Sequence, residues 1–207
     1  MQNVDQRLLE KDYVLVIDKS GSMETNDCNG KTRWQSLQES TLAIAKKVTQ
    51  FDPDGIKVIP FSSSFKVYDN TTEETVDKIF KENEPFGATY LAPVLKNVFE
   101  DFLDRKKMGK TKQNGEILIV VTDGCPDDPQ EIKNEIIRFT KRLDNGDNEY
   151  GILLFQIGND PYARQYLKQL DDDLEGSGAK FDIVSTKTTE EIEKIGITGA
   201  LIAALDE

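Results

Sequence analysis

The chain has 207 residues, with 26 Lys and Arg against 38 Asp and Glu, and a formal net charge of −12. That length suits one α/β domain with a full core. The acidic balance argues against a nucleic-acid surface, whose phosphate contacts need clustered Lys and Arg. Histidine is absent, which removes Ser-His-Asp and Cys-His catalysis and every His-ligated metal centre. No stretch is apolar for long enough to predict a membrane span. The start, Met1 to Asp12, is polar and lacks the apolar core of a secretory signal. Cys28 and Cys125 are too few for a disulfide framework or a zinc finger. A soluble, acidic, cytoplasmic protein is the expectation.

In chain order, Tyr13–Ile17 is an unbroken apolar run of the kind found in strands buried on both faces of a parallel sheet. Trp34, Leu37, Thr41, Ile44, Val48 and Phe51 then recur at alternating steps of three and four, one face of a helix. A strand is predicted at Ile56–Phe61, a short edge strand at Phe65–Tyr68, and a short helix from about Thr72 to Lys81. Leu91, Val94, Leu95, Val98, Phe102 and Leu103 mark a second long helix, and Ile117–Val121 a second fully buried strand. Ile132, Ile136, Phe139 and Leu143 mark a third helix, for which Asp128-Pro129-Gln130-Glu131 supplies an N-cap carboxylate, a proline at the first position and a capping-box glutamate. Strands at Gly151–Ile157 and Phe181–Val184 follow, separated by a helix that opens on Asp160-Pro161. The capping box Thr188-Thr189-Glu190-Glu191 starts a C-terminal helix. Strands alternating with helices predict right-handed crossovers and a helix-covered sheet. Residues 1–11 read as a short N-terminal tail and residues 12–207 as one domain.

In such sheets ligands bind beyond the carboxyl ends of the strands. The first strand ends Asp18-Lys19-Ser20-Gly21-Ser22, and the Ile117–Val121 strand ends Thr122-Asp123-Gly124. An aspartate at the end of a buried strand must be paired or liganded. Before the second long helix, Phe86-Gly87-Ala88-Thr89 offers a glycine turn and a hydroxyl. Two carboxylates and three hydroxyls form an all-oxygen set suited to a hard cation such as Mg²⁺ or Mn²⁺. A strand-end turn with a helix-capping carboxylate is the simpler reading of the first segment alone.

Asp18-x-Ser20-x-Ser22, then Thr89, then Thr122-Asp123-Gly124, in that order, resembles the von Willebrand factor A domain family and its metal-ion-dependent adhesion site. The resemblance covers the chain from about Asp12 to Leu205. It implies a Rossmann-like three-layer α/β/α fold, with a six-stranded, mostly parallel sheet carrying one short antiparallel edge strand. It also implies that Ser20, Ser22 and Thr89 are hydroxyl ligands of the metal, and that Asp18 and Asp123 bind directly or through water. The activity implied is that of a binding module, not an enzyme, in which a partner protein supplies an Asp or Glu to the ion. Standalone intracellular relatives often work beside ATPases, kinases or stress-response proteins, so the resemblance implies an intracellular assembly of that kind as the partner. Ala88 departs from the family, which often has a second glycine before the threonine.

Two other readings compete. A haloacid-dehalogenase-type phosphatase also opens on a strand-end aspartate but needs a second acid two residues later, where this chain has Ser20. A scaffold with a purely structural metal would keep its partner after chelation. Gly30-Lys31-Thr32 and Gly109-Lys110-Thr111 lack the earlier glycine of a P-loop, and Asp171–Gly176 departs from a calcium loop at Glu175 and Asp182. Cys28 and Cys125 follow the two strand-end loops. They are either independent thiols of a reducing compartment or a redox latch beside the metal site.

Overall fold

The computed structural model describes residues 5–9, 11–124 and 126–206. Six strands form one sheet in the order β3-β2-β1-β4-β5-β6. They are β1 (Asp12–Asp18), β2 (Ile56–Phe61), β3 (Tyr68–Thr71), β4 (Glu116–Thr122), β5 (Tyr150–Gln156) and β6 (Val184–Thr188). All neighbours are parallel except β2 and β3, which run antiparallel with a shift of register between Ile56 and Val58. The helices are α1 (Arg33–Val48), α2 (Glu73–Glu82), α3 (Ala92–Lys107), α4 (Pro129–Thr140), α5 (Pro161–Asp172) and α6 (Thr189–Ala203).

Strand residues alternate between two cores, because successive side chains point to opposite faces. Val14, Val16, Leu118, Val120, Ile152 and Leu154 face α3, α4 and α5. Tyr13, Leu15, Ile17, Ile117, Ile119, Val121, Leu153 and Phe155 face α1, α2 and α6. The first core is closed by aromatic packing, with Phe99 and Phe139 stacked at 4.0 Å and Tyr150 edge-on to Phe139 at 4.7 Å. In the second core Trp34 is partly buried and meets Phe80 at 4.7 Å.

The fully buried strands lie where their apolar runs predict, each extended by a residue or so. Both edge strands are displaced. The expected strand Phe65–Tyr68 lies at Tyr68–Thr71, and Phe65 instead makes an isolated bridge to Phe61 across the Ser62–Ser64 turn. The expected strand Phe181–Val184 lies at Val184–Thr188, while Phe181 packs against Gly146, where a Cβ would come within 3.0 Å of its ring. A strand with one neighbour and one covered face needs no continuous apolar run, so hydrophobicity marks the approach to it instead. Residues read as a tail also pack on the domain. Leu8 is buried, and Arg7 pairs with Asp206 at 2.5 Å.

The acidic Asp171 segment is structural: the Asp171 carboxylate accepts the Thr186 backbone N–H at 2.7 Å. Lys31 of the first Gly-Lys-Thr triplet pairs with exposed Glu39 at 2.6 Å. No helix among the described residues is long and apolar enough to cross a membrane.

Candidate metal centre

β1 feeds α1 on one face of the sheet and β4 feeds α4 on the other, so a crevice opens between their carboxyl ends. Asp18, the last residue of β1, is fully buried there. One of its oxygens accepts the Ser20 backbone N–H at 2.8 Å and the other accepts the Thr122 hydroxyl at 2.7 Å. Burial, and then the neighbouring Asp123 charge, push its pKa up to about 6. The chain then turns through a 3₁₀ segment, Gly21–Glu24, anchored by the buried Met23.

This turn lines up the oxygens. The Ser20 and Ser22 hydroxyls are 3.0 Å apart, and the Ser22 hydroxyl donates to Asp123 Oδ1 at 3.0 Å. Adjacent ligands on an octahedron with bonds of about 2.1 Å are about 3.0 Å apart. The donor set is all oxygen and its spacing fits a small hard cation. Among the described residues, no three Asp, Glu or Cys side chains gather to hold a metal, so any ion here depends on the hydroxyls.

Thr89 arrives by backbone pairing. Phe86 N–H donates to Lys19 O at 2.8 Å and Gly21 N–H to Gly87 O at 3.0 Å. Gly87 has φ of 89°, and a Cβ there would come within 2.6 Å of Ser63 Oγ, so glycine is required. Ser63 Oγ accepts the next N–H, from Ala88, at 3.0 Å. Hydrogen bonds thus link Asp18, Ser20, Ser22 and Asp123 in one run, and backbone pairing brings the segment that carries Thr89 alongside the 3₁₀ turn.

Three residues that the sequence did not place at this site complete the arrangement. Asp127 accepts the Thr89 N–H at 2.8 Å, and Thr89 O accepts Asp127 N–H at 3.0 Å, which stitches the Thr89 segment to the β4–α4 loop. Asp128 was expected to cap α4. It makes no side-chain cap there, and its carboxylate instead accepts the Leu91 and Ala92 N–H groups at 3.3 and 2.9 Å. It caps α3, because those orphan donors face it across the crevice. Asp128→Ala is expected to cost about 1–2 kcal/mol in urea denaturation, the loss of a helix cap; an unchanged midpoint would show that water replaces it.

Arg33 is the third. Its side chain is 11% exposed, and the guanidinium joins Asp123 Oδ2 at 2.8 Å to Asp27 at 2.7 Å. Gly158, at the end of β5, lacks the Cβ that would come within 2.8 Å of Arg33 Nε. A sequence signal existed: Arg33 occupies the first position of α1, where a cation opposes the helix dipole. Neither independent thiols nor the alternative of a Cys28–Cys125 latch is decided, because Cys125 lies outside the described residues; Cys28 is half-buried, with Sγ 3.5 Å from Asp27.

A doubly wound sheet with an oxygen-lined site at its switch point defines the class of domain. The sequence model of the von Willebrand factor type A domain matches residues 13–126, more than half of the chain, which belongs to that family. Among solved structures it is similar to a D319A mutant of the PilB minor pilin from Streptococcus sanguinis, at 15% identity and TM-score 0.62, covering 96% of this chain and 60% of that one. Proximal thread matrix protein 1 from the mussel byssus gives 19% identity and TM-score 0.62, covering 96% of this chain and 48% of that one. The manganese-loaded TRAP protein of Plasmodium vivax gives 18% identity and TM-score 0.59, covering 96% and 74%. At these identities the likeness establishes the fold, and the chain spans less than two thirds of the first and about half of the second of these proteins. A comparison with curated proteins finds no match.

Proposed function

We propose that this domain is a divalent-metal-dependent protein-interaction module. Asp18, Ser20, Ser22, Thr89 and Asp123 would hold Mg²⁺ or Mn²⁺, directly or through water, and a partner's Asp or Glu would complete the shell. The observation that carries this reading is the run of oxygens Ser20, Ser22 and Asp123, at 3.0 Å steps on the switch-point edge. A bound ion would supply an electrophile for a carboxylate. Neutral Ser and Thr ligands leave most of its charge unspent, which offsets the repulsion a −12 domain exerts on an acidic partner. Membership of a family whose domains often mediate metal-dependent protein interactions supports it.

The surface round the crevice favours a protein partner. Phe86, 80% exposed, and Tyr90, 44% exposed, flank Thr89, and exposed Phe65 stands on the neighbouring β2–β3 loop, which is tied to Tyr90 through Ser62 O. Exposed aromatic side chains are typical anchors of interfaces. A hydrolase reading finds less support: Ser20 stands where a phosphatase would need its second acid, and the chain has no histidine to act as a base. A cytoplasmic setting belongs to the proposal, since two cysteines provide no disulfide framework.

The test is a library of immobilised acidic peptides. Capture is expected with Mg²⁺, to be lost on adding EDTA, and to be lost in Ser22→Ala. Phe86→Ala should weaken capture about tenfold, as expected for an interface aromatic, with an unchanged melting temperature. Capture that survives EDTA would overturn metal dependence, and Mg²⁺-dependent hydrolysis of an aryl phosphate would favour the enzyme instead.

A further inference from the structure

Among the described residues, Arg33 is the cation that pairs with a carboxylate of the centre, and its geometry exceeds what a loop anchor needs. Asp27 already takes Nε and Nη2 of the guanidinium, at 2.7–3.1 Å, and that pair alone would fasten the loop between the 3₁₀ turn and α1. The remaining nitrogen, Nη1, is spent on Asp123, which is buried and already accepts from Ser22 on its other oxygen. Gly158 keeps the space for it. Asp123 therefore faces the crevice with one oxygen while a fixed positive charge neutralises it from behind.

We infer that Arg33 is a built-in counter-cation that sets the charge of the metal centre, weakening the hold on the ion in exchange for a stronger grip on an anionic ligand. The inference rests on the metal-binding reading above. Counted over Asp18, Asp123 and a divalent ion, the loaded centre carries one positive charge with Arg33 and is neutral without it; Asp27, on the far side of the guanidinium, lowers both sums by one and leaves that difference unchanged. The first is a better acceptor for a carboxylate, and the second a better trap for the metal, since like charges in a partly desolvated crevice repel. Asp27 is the control, because it draws Arg33's charge away from Asp123 without touching the hydroxyls.

Mn²⁺ is the probe, followed by calorimetry and by water-proton relaxation, which falls when acetate displaces water from the bound ion. Arg33→Gln is expected to bind Mn²⁺ about five- to tenfold more tightly, the scale of removing one nearby charge, and to bind acetate more weakly. Asp27→Asn is expected to move both in the opposite direction, and Arg33→Lys to stay near wild type. A melting scan confirms that each variant is folded. Arg33→Gln and Asp27→Asn shifting metal affinity in the same direction would show that the pair only pins the loop, and would overturn the inference. Mn²⁺ binding by Arg33→Gln but not by wild type would support it in its strongest form. Folded wild type and variants that all ignore Mn²⁺ would overturn the metal-binding reading, and this inference with it. A wild type that binds Mn²⁺ with an unmoved Arg33→Gln affinity would overturn the inference alone.

Discussion

Asp18→Asn is expected to melt above the wild type in EDTA and to lose all response to Mg²⁺. The reason is a buried charge with an unfriendly neighbour. Asp18 is fully buried, and its pKa is raised from 3.8 to about 6 by burial first and by Asp123 second. A raised carboxyl pKa means that the folded protein holds the proton more readily than the unfolded chain does. Stability from this group is thus fully present below about pH 4 and fades as pH rises towards 6, the ionised form costing on the order of 3 kcal/mol at neutral pH. Asparagine does not titrate. It can still accept from the Ser20 N–H, and its amide can donate to Thr122 Oγ1, whose hydroxyl turns to accept. The gap between variant and wild type should therefore open between pH 4 and 6 and stay flat above. Mg²⁺ should invert the order, because a ligand bound only by the folded state stabilises it. Denaturant midpoints at pH 4.5, 5.5 and 7, with EDTA and with Mg²⁺, measure this; a gap independent of pH would mean that Asp18 is ionised at no cost.

Gly115→Ala should be more damaging than any change at the candidate metal centre. Gly115 immediately precedes β4 with φ of 76°, and a Cβ there would overlap the Glu149 carbonyl oxygen. That carbonyl accepts the Glu116 N–H at 3.1 Å, and Gly115 O accepts the Asp12 N–H at 2.8 Å. The first rungs of β1, β4 and β5 therefore meet at a residue that has no room to shift. The expected loss exceeds about 4 kcal/mol or abolishes folding, the range of a backbone clash that cannot relax. Gly109→Ala is the comparison: its φ is 63° but its Cβ would meet nothing within 4 Å. It should cost only about 1 kcal/mol, the left-handed backbone penalty alone. Equal urea midpoints for the two variants would refute the crowding argument.

Much of the centre is legible because its chemistry is local in the chain. Ser20 and Ser22 stand two and four residues after Asp18, and both strand-end aspartates follow runs so apolar that a charge there demands an explanation. The capping signals of α5 and α6 are equally local, and both form: Asp160 accepts the Tyr162 N–H at 2.8 Å and Glu191 accepts the Thr188 N–H at 2.7 Å. Asp128 shows where local reasoning stops. Its sequence neighbours spell the start of α4, yet its carboxylate serves α3, because a side chain answers to the donors nearest in space.

By itself the sequence determined the alternation of strands and helices, the central strands buried on both faces, and the strand-end positions of Asp18 and Asp123, since each depends on residues within a few positions of one another. Only the tertiary structure decided the two edge strands, the second role of Asp128, the link from Asp127 to Thr89 and the placing of Arg33 behind Asp123. Arg33 and Asp123 are 90 positions apart and meet at 2.8 Å. Their contact exists because β1 and β4 are adjacent and α1 begins above them. Hydrophobic periodicity encodes which face is buried, but an ion pair across a crevice carries no periodicity and becomes visible only when the sheet has brought its strands together.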